Sequence, residues 1–174
     1  MEIPFICWIS SEAERAPCLP NLLFIEKGEI IELSSKQKGN LTELQCITAF
    51  YKLGYTVSIP YGENSRYDFI ADINGKLLRV QVKTSTAKDN GDLIEFSCRS
   101  TRVNTQGNFS RTYTKEEIDY FCTYYDNKCY LVPVTECSSS KKLRFNSTKN
   151  GQKVGINLAE DYELEKQLEK LEGQ

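Results

Sequence analysis

The stretch Arg66-Tyr-Asp68-Phe-Ile-Ala-Asp-Ile73-Asn74-Gly75-Lys76-Leu-Leu-Arg79-Val-Gln81-Val-Lys83-Thr84 contains two strand-like runs joined by Asn-Gly. Asn-Gly is a strong hairpin signal because both central residues of a type I′ turn need positive φ. A two-residue turn sets the register: Ile73 faces Lys76, Ala71 faces Leu78, Phe69 faces Val80, and Asp68 faces Gln81. Strand alternation then puts Phe69, Ala71, Ile73, Leu78, Val80 and Val82 on a buried face. The opposite face gathers Asp68, Arg79, Gln81 and Lys83.

On the N-terminal side, Leu41, Leu44, Ile47, Phe50, Tyr51 and Leu53 recur at helical spacing, which predicts an amphipathic helix from Gly39-Asn40 to a stop at Gly54. Tyr55–Pro60 alternates as a strand. On the C-terminal side, Leu93–Cys98 and Cys129–Val134 read as strands, with a polar loop over Ser100–Thr112. Thr114-x-x-Glu117 has capping-box spacing and predicts a helix over Lys115–Tyr124, its aromatic residues Tyr120, Phe121, Tyr124 and Tyr125 assigned to the core. Lys142–Phe145 reads as a last short strand, and Leu158–Leu171 as an exposed helix.

The chain has 174 residues, enough for one domain with its own core. Residues 1–35 are expected to form an N-terminal extension, with a strand pair in Leu22–Glu26 and Glu29–Leu33, before a domain over 36–165 and an acidic tail over 158–174. Each end carries two basic and six acidic residues, leaving 18 basic and 12 acidic residues in 36–157, a balance that permits a polyanionic partner. There is no histidine, so Ser-His-Asp and Cys-His nucleophile pairs and His-ligated zinc are excluded. The seven cysteines include no C-x-x-C pair. Their odd number and the want of a signal-like start point to reduced thiols in a cytoplasmic protein, and no apolar run is long enough for a membrane.

Glu43, Asp68, Gln81 and Lys83 form the one grouping with chemical character. Glu43 also stands three residues after Asn40, where it could serve only as a cap, and Asp68 could pair with Arg66 or Arg79. Read together, Asp68 and Glu43 supply carboxylates, Gln81 an amide oxygen and Val82 a main-chain carbonyl, the hard oxygens Mg²⁺ prefers. Lys83 can orient a water and offset transition-state charge.

These residues resemble the PD-(D/E)XK phosphodiesterase superfamily. Lys38-Gly-Asn-Leu-Thr-Glu43, Tyr67–Gly75 and Gln81-Val-Lys-Thr84 are similar to its homing endonucleases encoded in group I introns of cyanobacterial transfer-RNA genes. Tyr67 stands where the superfamily has proline, and Gln81 where it has a second acidic residue; glutamine is the form of the intron-encoded branch. The resemblance implies an α/β fold, a restriction-endonuclease-like mixed central sheet flanked by helices. It further implies Mg²⁺-dependent cleavage of double-stranded DNA, with Mn²⁺ able to substitute, by a homodimer or homotetramer. Candidate DNA contacts are Ser85, Thr86 and Lys88 after the Lys83 strand, and Arg99, Arg102, Asn104, Gln106, Asn108 and Arg111 in the polar segment. The alternatives are a restriction, repair or junction-resolving nuclease of the same fold, or a DNA-binding protein that has lost cleavage.

Overall fold

A computed structural model describes residues 23–26, 29–62, 64–104, 107–147 and 155–173. The Asn74-Gly75 hairpin forms as its sequence dictates. β4 (Phe69–Ile73) and β5 (Lys76–Val82) pair antiparallel with Phe69 opposite Val80 and Ile73 opposite Lys76. Both turn residues have positive φ, 53° and 90°. All six residues expected on the apolar face are buried.

This hairpin is the middle of a five-stranded mixed sheet ordered β11-β10-β5-β4-β3. β3 (Thr56–Ser58) is one edge, while β10 (Tyr120–Tyr125) runs parallel to β5 and pairs antiparallel with β11 (Lys128–Pro133). α1 (Ser35–Lys52) packs Cys46 and Phe50 onto one face beside Leu164 and Leu168 of α2 (Leu164–Glu172). The other face of β10 and β11 meets a three-stranded sheet, β12-β7-β6, through Phe121, Tyr130, Val132, Ile94, Phe96 and Leu143. Its strands are β6 (Thr86–Lys88), β7 (Leu93–Ser97) and β12 (Ser140–Arg144).

Four expectations change. α1 begins at Ser35, where Ser34 and Gln37 form a reciprocal cap, so Glu43 lies inside the helix and the capping role from Asn40 falls away. The helix expected over Lys115–Tyr124 is a single turn followed by β10. Thr114 and Glu117 do make the cap contact, but the aromatic run belongs to a strand covered on both faces, which shows no period-two alternation to betray it. Its assignment to the core holds: Phe121 is buried, Tyr120 and Tyr124 pack on one core and Tyr125 on the other. The polar loop at 100–112 is a hairpin ribbon, β8 (Arg99–Asn104) with β9 (Gly107–Thr112). The C-terminal helix is docked, with Leu164, Gln167 and Leu168 buried. β1 (Leu23–Glu26) and β2 (Glu29–Glu32) form the expected pair. Among the described residues no helix is long and apolar enough to cross a membrane.

Candidate active site

The parallel pairing of β5 with β10 ends where the Lys83 amide donates to the Cys122 carbonyl, 2.9 Å. Asp68 sits just before β4, its own amide bonded to the Val80 carbonyl at 2.9 Å, so its side chain lies alongside the last residues of β5. Asp68 Oδ2 accepts from the Val82 amide at 2.6 Å and from Gln81 Nε2 at 2.5 Å. Gln81 Nε2 also reaches the Val82 carbonyl at 3.2 Å. Neither donor uses Oδ1.

α1 brings Glu43 to this edge. The preceding residue, Thr42, is buried; its hydroxyl donates to the Lys38 carbonyl at 2.8 Å and meets the Thr84 hydroxyl at 3.3 Å, pinning the helix to the end of β5. Burial and then the Asp68 charge raise the Glu43 pKa above its ordinary value. Burial also raises that of Asp68, against the opposing pull of the Val82 amide, the Lys83 charge and the Gln81 amide. Two half-buried carboxylates, the charge of Asp68 raising the proton affinity of Glu43 and Asp68 keeping an oxygen to spare, form a donor set suited to a hard divalent cation. The Val82 carbonyl stands beside them. Gln81 presents its amide nitrogen to Asp68, and turning its oxygen there becomes favourable only with a cation in between.

Lys83 Nζ lies 3.3 Å from Tyr113 Oη and 5.2 Å from the centre of that ring, with the Arg66 guanidinium 4.0 Å from the same centre. Tyr113 carries no sequence signal of its own; it arrives by the fold. Arg66 and Arg79 do not neutralise Asp68. Arg66 pairs with Glu117 at 3.2 Å and Arg79 with Asp119 at 2.9 Å.

The residues expected to touch DNA divide into two groups. Ser85 follows Lys83 with its hydroxyl buried, and exposed Thr86 and Lys88 lie on β6. Arg99, Arg102 and Asn104 fall on β8, and Asn108 and Arg111 on β9, of which Arg99 and Arg111 have exposed side chains. Gln106 lies outside the described residues. Arg111 pairs with Glu117, which also holds Arg66, so the root of the ribbon is tied to the loop preceding Asp68.

Residues 33–165 match the profile of the PD-(D/E)XK endonuclease family. The bacterial homing endonuclease I-Ssp6803I has a similar structure, with 25% sequence identity and a TM-score of 0.66 over 81% of this chain and 96% of that one. No curated protein sequence matches. Nucleases of this family generally use divalent metal ions. By its family profile and its fold, the chain belongs to the PD-(D/E)XK endonucleases.

Proposed function

We propose that the protein is a Mg²⁺-dependent, sequence-specific endonuclease making double-strand breaks in DNA, with a homing role and a host element of the group I intron kind. The observation that carries this reading is the meeting of Glu43, Asp68, Gln81 and Lys83 where α1 crosses the end of the hairpin. Asp68, Glu43, Gln81 and the Val82 carbonyl would hold the ion, whose charge would polarise the phosphodiester oxygens. Lys83, steadied by Tyr113 and near enough to Asp68 to lower its pKa, orients the attacking water and stabilises charge gathering on the phosphate. The Val82 amide holds Asp68 in place, a bond that remains when Gln81 turns its oxygen toward the ion. Gln81 is neutral, so the ligand set is one charge short of an acidic counterpart, and phosphate oxygens would complete it. Mn²⁺ fits the same oxygens.

A two-stranded ribbon has the dimensions to enter the major groove, which gives β8 and β9, with Arg99 and Arg111, the role of reading the target. Exposed Thr86 and Lys88 serve the backbone near the cut, which the buried hydroxyl of Ser85 does not reach. Cutting both strands calls for two active sites, hence a homodimer or homotetramer.

The test is cleavage of a plasmid library of intron-free transfer-RNA gene junctions with Mg²⁺ or EDTA, wild type against Lys83→Ala. Metal-dependent linear product at one junction, lost in the variant, is the expected result; equal cutting by both sinks the assignment of Lys83. One observation favours a second reading: the Gln81 amide nitrogen occupies Asp68 Oδ2 and the Val82 carbonyl, atoms an ion would take. Salt-sensitive DNA binding with no metal-dependent product would make the protein a non-cleaving binder.

A further inference from the structure

Cys46, Cys122 and Cys129 are all buried, and their three sulfurs lie within 4.8 Å of one another. They come from three elements, α1, β10 and β11, in the core that also holds Phe50, Val82 and Leu131. Cys122 and Cys129 Sγ are 3.2 Å apart. Three sulfurs bound at about 2.3 Å to one ion stand about 3.7–4.0 Å from each other, so the separations in the triad need change by no more than about one ångström to close around a metal. A cavity of about 650 Å³ between α1 and the β10–β11 hairpin has Cys129 in its wall and exposed Leu44 and Lys52 at its rim. Solvent ions therefore reach the triad from the Cys129 side, Cys46 and Cys122 lying behind it.

We propose that this triad is a second metal site, taking a soft divalent cation of the Zn²⁺ kind through three thiolates, with a water from the cavity as fourth ligand. Binding releases the thiol protons to solvent and leaves a complex of net charge −1, next to a cavity lined by Lys52 and Lys128 and by Glu163 and Glu165. Mg²⁺, a hard ion, does not compete for sulfur, and the two sites sort metals by chemistry. The site braces the nuclease edge. Cys46 is one helical turn beyond Glu43, and the Cys122 carbonyl receives the Lys83 amide, so an ion between them fixes α1 against β10 directly under the catalytic face.

Cd²⁺ is the probe, because its thiolate charge-transfer absorption reports sulfur ligands alone. Titrated into reduced full-length protein, it gives one equivalent of bound Cd²⁺ per chain, displacing any Zn²⁺ already bound, with a melting temperature raised by several degrees. The absorption is lost in Cys122→Ala and Cys129→Ser and kept in Cys98→Ala and Asp68→Asn. Cys129→Ser, at the cavity wall, retains the fold if Cys122→Ala does not, and circular dichroism checks both. No absorption at one equivalent, absorption that survives Cys129→Ser, or purified protein two hydrogens light from a Cys122–Cys129 disulfide overturns the proposal.

Discussion

Asp119 and Asp68 flank the same strand, and each accepts a hydrogen bond from a β5 amide, Asp119 from Arg79 at 2.8 Å and Asp68 from Val82 at 2.6 Å. Their second partners differ. The Arg79 guanidinium reaches both oxygens of Asp119, at 3.0 and 2.9 Å, and also the Glu116 and Lys115 carbonyls, locking the turn before β10 to the sheet. Burial pushes the Asp119 carboxyl up, yet Arg79 outweighs it and holds the pKa below its ordinary value. Asp68 receives a neutral amide from Gln81, and burial keeps its pKa above the ordinary value. A structural carboxylate has been given its own cation. The carboxylate assigned to metal has been left with less than full compensation and a second carboxylate as neighbour, which makes the edge attractive to a divalent ion and unfavourable without one.

The largest effects should come from the uncompensated side. Asp68→Asn and Lys83→Ala are each expected to lower cleavage by about 10²–10³-fold or more while leaving a folded protein, and for Asp68→Asn the metal-free melting temperature should rise. Cleavage assays paired with thermal melts read both at once. A fall in melting temperature for Asp68→Asn would erase the contrast with Asp119. Glu43→Gln should also lose most cleavage, since the start of α1 at Ser35 removes its capping alternative.

Asp119→Ala should act the opposite way, with a loss of about 1–2 kcal/mol in urea unfolding and cleavage retained at temperatures where the protein is folded. Both partners are about one-third exposed, 32% for Arg79 and 29% for Asp119, which sets the estimate at the low end of charged hydrogen bonds. Asp119→Ala that abolishes cleavage without destabilising would give Asp119 a place in the active site.

The two aspartates should also leave opposite marks on the pH dependence of metal-free stability. With its folded pKa below the unfolded value, Asp119 contributes stability at neutral pH that disappears as pH falls through the folded value. With its folded pKa above the unfolded value, Asp68 favours the folded state in acid, and that advantage is lost as pH rises through the raised value. Subtracting the unfolding profile of each Asp→Asn variant from wild type should give slopes of opposite sign, and slopes of one sign would break the comparison.

The hairpin bearing Asp68 and Gln81 was legible because its information is local: a turn dipeptide, a two-residue period and a register that follows from both. Glu43 was legible as a member of the group, although α1 starts five residues before Asn40 because Ser34 and Gln37 cap it there. What the sequence hid is non-local. The parallel pairing of Tyr120–Cys122 with Val80–Val82 leaves no periodic trace, and a segment buried on both faces looks like any apolar run. Tyr113 reaches Lys83 across 30 residues of sequence. The thiol triad escaped for the same reason. Metal-ligand spacing shows in a sequence only within short motifs, and these three cysteines come from a helix and two strands that meet only in the folded core.

Glu117 extends the comparison to a third carboxylate, one with two guanidiniums. Arg66 approaches at 3.2 Å from the loop before Asp68 and is largely covered, whereas Arg111 comes from the ribbon and is 67% exposed. Arg66 alone can keep Glu117 neutralised, so Arg111 is the cation free to leave for a phosphate when DNA arrives. Arg111→Ala should therefore change stability by less than about 0.5 kcal/mol. DNA affinity should weaken modestly, and the slope of log affinity against log salt should become shallower by about one. Titrations of a target duplex at several salt concentrations measure that slope. An unchanged slope would leave Arg111 as a clamp for the ribbon root, and the reading of DNA would then rest on the rest of β8 and β9.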